Sequence, residues 1–414
     1  MRFTILCCTI TLLGTMSTSA QWTQHVNGLT DWSVGALYAD NNDLYAGAIT
    51  GIFKSTDLGV TWSASSAGLP SQPNFYSIVR SGSFLIAGGD AAGIWRSSDN
   101  GGTWVQTTSG VAANEYVLSF TVDGNTVYGA FGYPASVGIS TNNGATWSKT
   151  SNGLQTTQSM TGIAKIGSSL FACHATIGVY TSTNNGTKWT ITSPIGAQDK
   201  NAIIASGSSL IVGVSGASSQ KGIYHSTDQG VTWVKVRTGP LITGLTKSGA
   251  AIYAVGDSLF RSTDDGQTWT ALNLDGWPGT AVWNTMQFVQ TYAFVNFFGV
   301  GVYRSPVSGL VAVNEERVGV PEEFILEHNF PNPFNPSTTI SYGLPARAHV
   351  TLIVYNVLGE NVATLIDGIQ DAGFRSASWN ADGLASGVYF YKLSAASTTT
   401  KEFSTSVGRM ILTK

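Results

Sequence analysis

The sequence predicts an all-β chain, a seven-bladed β-propeller closed by its N-terminal strand and followed by a small immunoglobulin-like β-sandwich, on three observations. One pattern, Ser-x-Asp-x-Gly-x-Thr-Trp or a near variant, occurs six times, its tryptophans Trp62, Trp104, Trp147, Trp189, Trp233 and Trp269 standing 42, 43, 42, 44 and 36 residues apart. That period is the size of a four-stranded blade. Around it apolar and polar residues alternate with the period of two of half-buried strands, and no 3.6-residue helical period accompanies it. Charged residues are 11% of the chain, against about 25% in an ordinary soluble protein. Glycine reaches 48 of 414 residues, which suits short strands joined by tight turns.

In chain order, residues 1–20 read as a secretory leader: Arg2 gives a positive start, residues 5–13 a short apolar stretch, and Thr18-Ser19-Ala20 a cleavage site. Cys7 and Cys8 leave with it, so Cys173 is the one thiol expected in the mature chain, and it reads as a small buried residue. No later stretch is apolar over the roughly 18 residues that a membrane-crossing helix needs, so no transmembrane segment is expected.

Residues 21–310 form the predicted propeller. A representative repeat reads as an inner strand at 76–80, a second at 84–87, a third at 93–97, the patterned turn, and an outer strand at 103–107. In the turn the Asp side chain can accept nearby backbone N–H groups, Gly supplies a positive φ, and the Trp packs between blades. Asn142 and Asn184 replace Asp in two copies and can close the same turn. The ends hold the two halves of one further blade. Gln21-Trp-Thr-Gln-His-Val-Asn-Gly-Leu29 matches the segment after a patterned turn, and Gly301-Val-Tyr-Arg-Ser305 matches the segment before one. Joined, they complete a seventh blade and remove the open edges that invite aggregation.

Between Gln21 and Leu310 the one glutamate is Glu115, whereas Glu315, Glu316, Glu322, Glu323 and Glu327 crowd the next twenty residues. That shift marks a solvated linker at 311–323. Residues 324–414 open on Asn329-Phe-Pro-Asn-Pro-Phe-Asn-Pro and continue in alternating strands, which suits a small β-sandwich.

The six turns, with Asp57, Asp99, Asn142, Asn184, Asp228 and Asp264 at the acidic position, resemble the Asp-box or BNR repeat of sialidases, xyloglucan-cleaving hydrolases, sortilin-type receptors and photosystem assembly factors. The last segment resembles the type A C-terminal sorting domain of type IX secretion cargo. The motifs carrying that resemblance are the Asn-Phe-Pro opening, Val354-Tyr-Asn-Val-Leu-Gly359, Gly383-Leu-Ala-Ser-Gly-Val-Tyr-Phe-Tyr391 and Arg409-Met-Ile-Leu-Thr-Lys414. The resemblance implies recognition by the type IX translocon and a secreted protein, extracellular or attached to the outer-membrane surface.

An enzyme of this kind would carry its chemistry on the loops opposite the boxes. The carboxylates expected there are Asp31, Asp90, Glu115, Asp199 and Asp275, one from each of five repeats. A glycoside hydrolase needs two carboxyls about 5–5.5 Å or 6.5–9.5 Å apart. The same loops bring Trp32, Phe75, Tyr116, Tyr133, Trp277, Trp283 and Phe297, aromatics that suit a face for sugars or proteins. Arg96, Arg261 and Arg304 share one repeat position before the box Ser, which argues for packing rather than for a sialidase-type arginine cluster. The histidines show no metal-ligand spacing, and neither metal nor cofactor is expected. The net charge of −3 and the lack of a basic cluster argue against nucleic acid. The reading is a non-catalytic secreted propeller that binds a glycan or protein, with an Asp-dependent glycoside hydrolase as the alternative.

Overall fold

The structure, a computed structural model, describes residues 22–413 apart from 91, 193–194, 196–201, 216–219, 240, 279–284, 311, 313–319, 322, 328, 330–331 and 399–402. The expected leader and most of the expected linker therefore lie outside the described residues. Two compact units are present, Met1–Val313 and Asn314–Lys414.

Among its described residues the first unit is strand and turn apart from one 3-10 turn at Val307–Gly309, and its strands form seven four-stranded antiparallel sheets. The second sheet runs Phe75–Ser81, Phe84–Gly89, Gly93–Ser97 and Val105–Thr107, paired in chain order. Five others repeat that order, starting at Val34–Asp40, Val117–Asp123, Met160–Ile166, Ala202–Ser206 and Ile242–Ser248. The seventh is built from both ends of the unit: Met286–Val289, Tyr292–Phe297 and Gly301–Pro306, with Thr23–Gln24 pairing outermost on Gly301–Pro306. First strands of successive sheets touch in chain order, and Met286–Val289 touches both Ile242–Ser248 and Val34–Asp40.

Second strands such as Phe84–Gly89 are buried over almost their whole length, because a neighbouring sheet covers each face. Small residues set that approach. A Cβ at Gly88 would stand 2.8 Å from Val117 of the third sheet, and one at Gly213 would stand 2.4 Å from Ile242 of the sixth. Asn296 occupies the same register position in the seventh sheet, each of these residues pairing with the residue after the glycine that opens its third strand. It is wholly buried and donates from Nδ2 to the Val34 carbonyl of the first sheet at 2.8 Å.

A second joint recurs where five of the outer strands leave their sheets. Asn27, Ala67, Ser109, Asn152 and Asp275 accept the backbone N–H of Trp62, Trp104, Trp147, Trp189 and Trp22 at 2.8–2.9 Å. The glycine after each, at φ between +81° and +90°, lies so close that a Cβ would fall within 2.3 Å of that tryptophan's carbonyl oxygen. No other residue fits there.

The box turns are closed by side chains. Asp57 Oδ1 accepts Ser55 Oγ and Thr61 N at 2.8 Å each, Oδ2 accepts Thr61 Oγ1 at 2.5 Å, and Ser55 Oγ accepts Gly59 N at 2.9 Å. Asn142 repeats the geometry with Nδ2 donating to Thr146 Oγ1, while Asn184 faces Lys188 where the others have threonine and keeps the Ser182 hydroxyl and Lys188 amide bonds without a threonine hydroxyl. The residue before each box glycine, Leu58, Asn100, Asn143, Asn185, Gln229 and Asp265, is also left-handed, at φ 54–59°.

The second unit packs a three-stranded sheet (Ile325–Leu326, Ser337–Leu344, Gly373–Asn380) and a four-stranded sheet, in spatial order Asn361–Gln370, Ala348–Tyr355, Gly387–Ser397 and Phe403–Leu412, around one core. Ile340, Tyr342 and Leu344 from one sheet meet Val350, Leu352, Val354 and Leu393 from the other. The Asn-Phe-Pro opening explains itself physically. Asn329 is wholly buried and donates from Nδ2 to Thr338 Oγ1, Asn332 accepts Ile411 N and donates to the Arg409 carbonyl, and Phe334 packs on Trp379 in the core.

Candidate functional site

In each four-stranded meander the box turns and the first hairpins share one end, so the loops joining second to third strands and outer to next inner strands share the other. Of the expected carboxylates, Asp31, Asp90, Glu115 and Asp275 lie at that second end, each in a separate setting. Asp31 accepts Ser33 N at 2.8 Å on one oxygen and Thr50 N at 2.9 Å on the other, tying two loops of the first sheet together. Glu115 is only 9% exposed and takes Lys149 Nζ on both oxygens, at 2.9 and 2.8 Å. Asp275 accepts Asn273 Nδ2 at 3.0 Å, and its carbonyl forms the joint to Trp22. Asp199 and Trp283 lie outside the described residues.

The aromatics divide by burial. Trp32 is 46% and Tyr133 69% exposed, and Tyr116 and Trp277 are half-buried. Phe75 and Phe297 are corrected by the structure: both are wholly buried and present no ring to a ligand. Phe75 opens an inner strand and fills the space above Gly47 between sheets. Phe297 packs edge-on against Trp277 and Tyr303, and Trp277 packs edge-on against Trp22.

What the structure does bring together is Asp90, Tyr116 and Tyr76. The backbone register slips between Phe75 and Ser77, a β-bulge that leaves Tyr76 unpaired on its strand. Its ring centroid lies 6.0 Å from that of Tyr116, with 54° between the planes. Asn74 Nδ2 donates to the Tyr76 hydroxyl at 2.7 Å, and the Asp90 amide donates to the Asn74 carbonyl. Burial first, then the neighbouring phenol and Asp90, hold the Tyr76 hydroxyl above the usual tyrosine range; burial and Asp90 do the same for Tyr116. Tyr76 is absent from the residues expected on sequence grounds, since a bulge is defined by cross-strand pairing.

Asp257, in the loop joining the second and third strands of the sixth sheet, is half-buried with Oδ1 unpartnered, and burial raises its pKa, while other titratable groups are held within the fold. His174 is wholly buried, with Nδ1 accepting Thr176 N and Nε2 on the Gln155 carbonyl, and burial lowers its pKa. Arg96 and Arg304 lie over the rings of Phe84 and Tyr292. No cluster of three His, Cys, Asp or Glu side chains among the described residues could hold a metal ion. At the box end, a shallow groove of about 820 Å³ runs between the fourth and fifth sheets, lined by Thr181, Ile191, Asp228 and Val231 among others.

Residues 94–107 match the model of the BNR-Asp box repeat, and residues 328–404 match that of the secretion system C-terminal sorting domain. The chain thus carries an Asp-box repeat and a type IX sorting domain, which implies secretion to the cell surface or the exterior. No curated protein matches the chain. Similar solved structures include the GH74 enzyme of Niastella koreensis, 14% identical over 93% of this chain and 74% of that one, with a TM-score of 0.51. YCF48 bound to D1 peptide is 16% identical over 69% of this chain and 96% of its own, with a TM-score of 0.51. The WD40 beta propeller domain of Doa1 is 12% identical over 69% and 96%, again with a TM-score of 0.51. At these identities the likeness is one of fold, the β-propeller. Among the described residues no helix is long and apolar enough to cross a membrane.

Proposed function

We propose that the chain is a secreted, closed seven-bladed β-propeller that binds an extracellular glycan or protein through the loops opposite its boxes. In this reading residues 324–414 form an immunoglobulin-like sandwich that the type IX translocon recognises. Closure is supported by the contact of Met286–Val289 with Val34–Asp40 and by the Trp22–Asp275 joint, which repeats across the chain ends the link between neighbouring repeats. The sorting-domain match supports the destination.

The observation that favours binding over hydrolysis is the state of two of the expected carboxylates. Both oxygens of Asp31 are taken by backbone amides, and both oxygens of Glu115 by one lysine. Both carboxylates are thus engaged by partners within the fold. Asp90 is left as an exposed acid beside two phenols.

Incubating the secreted protein with soluble β-glucans, mannans and galactans and measuring reducing ends tests the distinction. A binding protein leaves them intact. Release of reducing ends that disappears in Asp90→Asn would establish the hydrolase reading instead.

A further inference from the structure

We infer that Tyr76, Tyr116 and Asp90 form a docking site for a neutral oligosaccharide, one sugar ring lying against the tyrosine pair and its vicinal hydroxyls donating to the Asp90 carboxylate. The inference rests on the loop-face reading above and names its ligand.

The rings are laid on backbone. A Cβ at Gly35 would stand 3.0 Å from Tyr76 Cδ1, and one at Gly132 would stand 2.1 Å from Tyr116 Cδ1. Glycine behind each tyrosine lets the ring sit flat against the chain, and both rings stay half-buried rather than sealed in the core. The loop beneath them is strained: Gln72 and Asn74 hold φ of 55° and 43°, a region that ordinary side chains rarely occupy. That geometry delivers the Asn74 amide to the Tyr76 hydroxyl. Strain at such a point is characteristic of binding loops.

Charge selects the ligand. Residues 64–75, 89–93 and 107–117, and the 131–136 loop, contain no Lys or Arg. Lys149, which reaches these loops from an adjacent strand, is occupied by Glu115. An anionic ligand such as a uronate, a sulfated glycan or a phosphate would meet Asp90 with no counter-charge. Apolar ring faces edged by hydroxyls, an amide and one carboxylate complement a hexose, which has apolar C–H faces and a rim of hydroxyl donors. A basic peptide is less well served, because it would find one exposed carboxylate here, and a single surface ion pair is worth only about 0–1 kcal/mol. Tyr133, next to Gly132 and 69% exposed, extends the surface beyond one sugar, which argues for a chain rather than a monosaccharide.

The test is affinity electrophoresis of the full secreted chain through gels containing β-glucan, galactomannan or polygalacturonate, with oligolysine binding measured by calorimetry. At least one neutral glycan retards the wild type and polygalacturonate does not. Asp90→Asn, which should leave melting almost unchanged, weakens that binding roughly tenfold, as loss of a charged hydrogen bond does, and Tyr76→Ala and Tyr116→Ala, which remove the rings, abolish it. The inference is overturned if no neutral glycan retards the protein, if the three variants bind like wild type, or if oligolysine is the ligand lost in Asp90→Asn. Neutral-glycan binding lost only in Trp32→Ala would overturn this site and leave the loop-face reading standing. Binding retained in all four variants would overturn both.

Discussion

In each box turn the serine hydroxyl donates to the Asp or Asn side chain and accepts the glycine amide four residues on, from a position that is 1–2% exposed. Removing it strands a buried N–H. Ser226→Ala should therefore cost about 1–3 kcal/mol, read as a lower urea midpoint at unchanged slope, and a midpoint equal to wild type would show that water replaces the hydroxyl. The acid beside it titrates in a defined window. The Thr103 and Thr232 N–H and hydroxyl groups bond the charged forms of Asp99 and Asp228 and lower their pKa values from 3.8 to about 2. A lowered folded-state pKa stabilises the fold above the unfolded value, and that contribution is lost as the pH falls from 3.8 towards 2. Asn142 and Asn184 hold equivalent turns without titrating. The double variant Asp99→Asn, Asp228→Asn should melt with a shallower loss of stability between pH 4 and 2 than wild type. Solvent screening keeps the difference small, because both carboxylates are exposed.

At the scale of elements, the strand edge of the second unit shows how a motif works. Phe403–Leu412 is the last strand of its sheet, and such an edge offers a row of unpaired backbone groups. Asn332 covers the end of that row with its side-chain amide, and Phe334 adds backbone bonds to Ile411 and Thr413. Asn332→Ala should speed amide hydrogen exchange at Ile411 while leaving Leu352 in the sheet centre protected; equal rates in both proteins would mean that Phe334 alone closes the edge. The existence of these elements was legible because one box marks each repeat, yet their limits were not. The inner strand expected at 76–80 spans Phe75–Ser81, and the outer strand expected at 103–107 is only Val105–Thr107. Trp104 leaves the ladder because its amide goes to Ala67 of the preceding repeat. The site was less legible for the same reason. The partners that engage Asp31 and Glu115, Thr50 and Lys149, lie 19 and 34 residues away, and the bulge that frees Tyr76 exists only in the pairing. Spacing locates loops, but the donors each carboxylate meets are decided by contacts between strands.

For the first unit as a whole, the decisive structure is the seam at the seventh sheet, which pairs Thr23–Gln24 with Gly301–Pro306 and touches the first sheet. The other six sheets are each built from consecutive strands, whereas the outer strand of the seventh comes from the opposite end of the unit and is held by non-covalent pairing alone. Polar side chains concentrate at it. Asn296 replaces the small or apolar residue of the other repeats and donates to the Val34 carbonyl, while its Oδ1 accepts both the Thr285 amide and the Thr285 hydroxyl at 2.8 Å. Arg304 donates to the Leu58 carbonyl at 2.8 Å, and Gln290 reaches Asn42. Trp22, 3% exposed, plugs the joint at Asp275. Asn296→Ala leaves the buried Val34 carbonyl without its side-chain donor and the Thr285 amide without its acceptor, which should cost about 1–3 kcal/mol. Deleting residues 21–29 removes the outer strand together with Trp22 and Gly28, opening the seventh sheet at its edge. In the proposed ring, whose sheets would stabilise one another cyclically, that loss should lower the melting temperature by far more than the roughly 2–4 °C expected per kcal/mol in a domain of this size, and should do so in one cooperative transition. An unchanged melting temperature on deletion would refute closure by the N-terminal strand. A second, separate transition confined to the seventh sheet would mean that the propeller tolerates an open ring.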